Sequence, residues 1–214
     1  MPEPRWTVVV PVKRLEVAKS RLRGALPGVP HAELALALAA DTVRAVRACP
    51  AVAEVLVVTD DPRMGAQLRA AGARTVPDAP DAGLNAAFRH GAAVAGPHVP
   101  VAALTADLPA LRPVELAAAL RTAAAGPGVR RFVADAPGSG TVLLTTPAGV
   151  PLEPRFGVGS AAAHAASGAL SLDDAWPTLR RDVDTAADLA DAALLGLGPR
   201  TAALVTTRAA RTAG

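Results

Sequence analysis

Trp6-Thr7-Val8-Val9-Val10-Pro11-Val12 is a strand-length run with no polar alternation. A strand that exposes one face to water alternates apolar and polar residues. A continuous β-branched run instead marks a strand covered on both faces, as in the middle of a parallel sheet. Val55 to Thr59 and Val99 to Thr105 repeat the pattern. Between and after these runs lie Ala- and Leu-rich stretches with helical character, roughly 31–48, 62–71, 84–93 and 113–124. Strand and helix in alternation predict an α/β fold with a mostly parallel sheet. Ligands of such sheets bind beyond the carboxyl ends of the strands, which directs attention to the loops after Val12, Thr59 and Thr105.

The second half is less regular. Arg131 to Asp135 and Val142 to Thr145 read as two strands joined by the turn Pro137 to Gly140. A glycine loop, Phe156-Gly157-Val158-Gly159-Ser160, leads into a short Ala-rich helix through His164. Leu179 to Val183 reads as a short strand, and Ala186 to Leu195 as a helix capped by Asp184 or Thr185. The expected organisation is a single domain over residues 1–205, followed by a disordered tail, 206–214.

Composition narrows the function. Of 214 residues, 51% are hydrophobic but only 2% aromatic, so the core is aliphatic and a stacking platform for nucleic acid is disfavoured. Net charge is +3 with arginines scattered along the chain, which points to phosphorylated small molecules ahead of polyanions or membranes. Cys49 stands alone, excluding an internal disulfide and a cysteine metal cluster, and is expected to serve as a small buried hydrophobe. No signal-peptide pattern or long apolar stretch occurs, so a cytoplasmic location is expected. The histidines lack metal-ligand spacing and are read as surface or cap residues, with only His164 near a suspected site.

Lysine occurs only at Lys13 and Lys19, in the loop after the first strand. An ammonium on a flexible stem acts as a movable point charge for phosphate, whereas Arg is a planar fork. This loop lacks the glycine spacing of a P-loop or of a dinucleotide fold. Asp107 follows the strand that ends at Thr105, where a carboxylate can hold Mg2+ on a bound nucleotide or cap the turn at Pro109. Asp182 and Asp184, two apart, would share a face in a strand and could converge on one cation, or form a solvated strand end. Leu84-Asn85 begins a helix with an amide that could read a base or ribose edge. Gly157, Gly159 and Ser160 could cradle an anion, and Gly140-Thr141 could add a hydroxyl with close backbone approach.

In order, these segments resemble the 2-phospho-L-lactate and phosphoenolpyruvate guanylyltransferases of deazaflavin coenzyme F-420 synthesis. The segments are Pro11-Val12-Lys13 with Ala18-Lys19-Ser20-Arg21-Leu22, Gly83-Leu84-Asn85-Ala86-Ala87, Thr105-Ala106-Asp107-Leu108-Pro109, Gly140-Thr141, Phe156-Gly157-x-Gly159-Ser160-x-x-x-His164 and Leu179 to Thr185. The resemblance implies a three-layer nucleotidyltransferase fold with a mostly parallel mixed sheet, related to glycosyltransferases of the A type. It implies that Lys13 and Lys19 hold GTP phosphates, with Leu84, Asn85 and Thr105 facing the nucleotide. Asp107, Asp182 and Asp184 would bind Mg2+, with Lys13, Lys19 and Asp107 carrying catalysis. Thr141, Gly157 and Ser160 would hold a phosphorylated three-carbon acid, either phosphoenolpyruvate or 2-phospho-L-lactate. Hand-off of the product to the next enzyme of the pathway is a further expectation. A sugar-phosphate nucleotidyltransferase, a related glycosyltransferase and a non-catalytic nucleotide-binding module are the rival readings.

Overall fold

In a computed structural model, residues 5–13, 22, 25–26, 28–126, 128–173 and 175–212 are described. The Val-rich run forms β1 (Trp6–Pro11), every residue of it buried. It pairs in parallel with β2 (Val52–Val58) on one side and β4 (Val101–Leu104) on the other. A short β3 (Arg74–Val76) extends the sheet beyond β2. On the far side of β4 the direction reverses. β6 (Thr141–Thr146) runs antiparallel to β4 and to β5 (Arg131–Ala134), and the two-residue β7 (Leu170–Ser171) closes the edge. The seven-stranded order is β3-β2-β1-β4-β6-β5-β7, a mixed and mostly parallel sheet.

Because side chains alternate across a strand, β1 feeds two cores. Val8 and Val10 pack with α1 (His31–Arg47), α2 (Pro62–Ala70) and α4 (Pro113–Ala125). Val9 faces α3 (Leu84–Ala95) and α5 (Ser160–Ala166) on the opposite side. Burying each such valine is worth roughly 1.5–3 kcal/mol, which explains a β1 with no charged position and Thr7 as its one hydroxyl. Gly91 lets α3 lie close to the sheet, since a Cβ there would sit 2.3 Å from Val9 Cγ1.

Helix starts follow local chemistry. Asp61 accepts from the Met64 amide at 2.9 Å with Pro62 next to it. Thr185 and Asp188 form a reciprocal capping box at the start of α7 (Ala186–Leu195), so the cap is Thr185. α8 (Pro199–Thr212) is capped from a distance: buried Asp41 of α1 accepts from the amides of Arg200 at 3.2 Å and Thr201 at 2.7 Å. Gly198 fits there because a Cβ would meet the Asp41 carboxylate.

α8 runs on through Thr212. Two expectations are corrected. Leu179 to Val183 is not a strand: Pro177 occupies the first turn of a short helix, α6 (Pro177–Arg180), after which the chain is irregular. His164 is neither a surface nor a cap residue but fully buried. Cys49 is buried as expected, and burial pushes its thiol up from the ordinary range.

Candidate active site

The carboxyl ends of the adjacent parallel strands β1 and β4 open into a cleft of about 220 Å³. Pro11, Val12 and Lys13 line it from β1, and Thr105, Ala106 and Asp107 from β4. Leu84 of α3 and Ala35, Leu38 and Ala39 of α1 supply apolar walls. Lys13 is exposed at the rim, whereas Lys19 lies outside the described residues.

The turn carrying Asp107 is fixed on both sides by one hydroxyl. Fully buried Thr42, in the middle of α1, accepts from the Leu108 amide at 2.9 Å and lies within bonding distance of the carbonyls of Ala106 (3.2 Å) and Leu38 (2.9 Å). The carbonyl of Asp107 accepts from the amide of Val183 at 3.0 Å. Val183 is buried against α1 and α7, while Asp182 and Asp184 beside it stay half-buried. The acidic pair thus reaches Asp107 through a loop contact, not through neighbouring strands.

This contact does not amount to a ready-made cage. Among the described residues no group of three or more His, Cys, Asp or Glu side chains is gathered to hold a metal ion. The donor set nonetheless suits Mg2+, a hard ion that takes one or two carboxylates and completes its shell with water and substrate phosphates.

Because β6 runs antiparallel, its first residue lies at the same end of the sheet as the last of β4. The Thr105 amide donates to the Val142 carbonyl at 3.0 Å, which brings Thr141 beside the Asp107 turn. The turn before it is held by Asp135, which accepts from the amides of Ser139 at 2.9 Å and Gly140 at 2.8 Å. A side chain at Gly140 would strike that carboxylate at 2.3 Å. Arg180 donates to the carbonyls of Ala134 and Asp135 at 3.0–3.3 Å, tying α6 to the same turn.

The glycine loop approaches from α5. Gly157 and Gly159 have φ of 141° and 69°, in the region that favours glycine, and Ser160 begins the helix buried. The loop is anchored by Asn85, which accepts from the Phe156 amide at 2.7 Å and donates to its carbonyl at 2.9 Å. Phe156 stacks on Phe88 with ring centroids 4.3 Å apart. His164 completes the anchor, lying 2.9 Å from Thr141 Oγ1 and accepting from the Arg155 amide at 2.9 Å.

Thr42 and Arg180 were not singled out from sequence, since a threonine in a helix and an arginine among many give no local signal. Asn85 and His164 stood in recognisable motifs, but their partners lie far along the chain.

Residues 20–180 match the MobA-like NTP transferase domain. A protein of Salinispora arenicola named phosphoenolpyruvate guanylyltransferase is 71% identical, the alignment covering 98% of this chain and 97% of the relative. The chain belongs to the phosphoenolpyruvate guanylyltransferase family. A second member, from Geodermatophilus obscurus, is 58% identical over 94% of each chain. The fold of this guanylyltransferase family member also recurs in a solved structure from Desulfovibrio desulfuricans, described as a candidate nucleotide-diphospho-sugar transferase. That chain superposes with a TM-score of 0.71 at 15% identity, covering 97% of this chain and 96% of the other. At that identity the likeness speaks for the fold alone. Among the described residues no helix is long and apolar enough to cross a membrane.

Proposed function

We propose that this protein transfers GMP from GTP to the phosphate of phosphoenolpyruvate, releasing pyrophosphate, as a cytoplasmic step towards deazaflavin coenzyme F-420. The observation that carries the reading is the hydrogen bond from Val183 to the Asp107 carbonyl, which joins the acidic loop to the cleft at the ends of β1 and β4. Full-length relatives named for this activity support it.

The cleft between β1 and β4 takes GTP, with Leu84 and Thr105 against the nucleotide and Lys13 at the phosphates. Lys19, six residues on, adds a second cation to the same chain segment. Thr141, Gly157 and Ser160 form the acceptor side. The contribution of Asn85 is to hold the Phe156-Gly157 peptide, since both ends of its amide are engaged there.

The acceptor's phosphate oxygen attacks the α-phosphorus in line as pyrophosphate leaves. The nucleophile is already an anion, so no general base is needed, and the barrier is chiefly the approach of two polyanions. Lysine charge and fixed positioning lower it. Asp107, Asp182 and Asp184 would hold Mg2+, which supplies charge neutralisation at the phosphates when bound.

The test is pyrophosphate release from GTP and Mg2+ with phosphoenolpyruvate, 2-phospho-L-lactate or 3-phosphoglycerate supplied separately, and ATP as control. Release with phosphoenolpyruvate and GTP is expected. Release with another acid alone would reassign the acceptor, and silence with all three would overturn the reading.

A further inference from the structure

His164 has no place in the chemistry above, yet it is fully buried and hydrogen-bonded through both ring nitrogens. The two bonds decide where its proton sits. The Arg155 amide can only donate, so Nε2 must accept and carries no hydrogen. A neutral ring then keeps its proton on Nδ1, 2.9 Å from Thr141 Oγ1.

Neutrality is enforced by the surroundings. The ring sits edge-on to Phe156 at 5.1 Å and near Phe132 at 5.9 Å. Burial first, and then Arg130 and Arg155, push its pKa down from 6.5 to about 4. The hydroxyl of Thr141 therefore receives a hydrogen from the histidine, and its own hydrogen must point elsewhere.

We propose that His164 is a positioning residue that turns the Thr141 hydroxyl into an obligate donor toward the anionic acceptor, by occupying the oxygen with Nδ1–H, the tautomer being set by the Arg155 amide at Nε2. With the opposite tautomer, Thr141 would donate to the ring and present only lone pairs to the acid. The inference rests on the reading of Thr141 as an acceptor-site residue.

The experiment pairs kinetics with spectroscopy on the full chain. His164→Leu, His164→Asn, Thr141→Val and the double variant His164→Leu with Thr141→Val are assayed with GTP, Mg2+ and phosphoenolpyruvate. A hydrogen bond to a charged group supports a factor of roughly ten to a hundred, so His164→Leu should raise KM for the acid by that factor and hardly move KM for GTP. His164→Asn, whose amide can still donate to Thr141, should recover most of the loss. In the Thr141→Val background the histidine change should add almost nothing. The 15N shifts of the His164 ring, assigned by their loss in His164→Asn, should show a protonated Nδ1 and a bare Nε2.

A protonated Nε2 with a bare Nδ1, or a loss shared by both substrates and additive with Thr141→Val, would overturn the proposal. Wild-type protein inactive with phosphoenolpyruvate would instead sink the functional reading, an outcome the ring tautomer does not affect.

Discussion

The amide of Val183 donates to the carbonyl of Asp107 across 3.0 Å, joining the turn after β4 to an irregular loop 76 residues further along the chain. Buried Val183 anchors the loop and brings the two aspartates flanking it towards the turn of Asp107, the one carboxylate among the described residues that lines the cleft. Asp107→Asn and Asp184→Asn preserve size and remove charge. Each is expected to fold normally and to lose turnover by on the order of a hundredfold or more. Pyrophosphate release across a Mg2+ titration checks this, and near-normal rates would remove these residues from the metal site.

Asn85 separates two roles by which substrate suffers. Its amide bonds both backbone groups of Phe156, so Asn85→Ala should loosen the glycine loop and raise KM for the acid by roughly tenfold. KM for GTP should stay within about twofold. A rise confined to GTP would mean that the amide reads the nucleoside after all.

Thr42→Val keeps the shape of a fully buried side chain and deletes its hydroxyl. The Leu108 amide and Ala106 carbonyl then lose their partner on both sides of Asp107. A cost of about 1–3 kcal/mol is expected, read from the urea midpoint at unchanged slope. Turnover should fall as well, because the Asp107 turn is no longer held.

Acid should act on this fold through His164. Its pKa is about 4 in the native state against 6.5 for a free imidazole. Between those values the unfolded chain binds the extra proton, so stability falls as pH drops from 6.5 towards 4 and levels off below. At about 1.4 kcal/mol per pH unit the total is about 3 kcal/mol. Carboxylates titrate in the same window, so the diagnostic quantity is the difference in urea-derived stability between wild type and His164→Asn. That difference should shrink with acidification, and a pH-independent difference would count against a buried neutral ring.

The alternation of apolar runs and Ala-rich helices determined the layer architecture, because burial on both faces forbids charged residues in β1 whatever the rest of the chain does. The positions of Lys13, Asp107 and the Gly157–Ser160 loop were legible for the same reason: strand ends and glycine turns are written in neighbouring residues. What only the tertiary structure decided is which of these meet. Asp182 and Asp184 approach Asp107 without a strand, since Pro177 starts a helical turn and the contact is one backbone hydrogen bond to a distant loop. Short β3 and β7 exist through pairing with longer neighbours, and α8 persists through Thr212 with its first turn held by Asp41, 159 residues from Arg200. Asn85, Thr42 and His164 act through backbone groups 71, 66 and 9 residues away. Periodicity records which face of an element is buried, but it carries no record of which polar atom that face will find there.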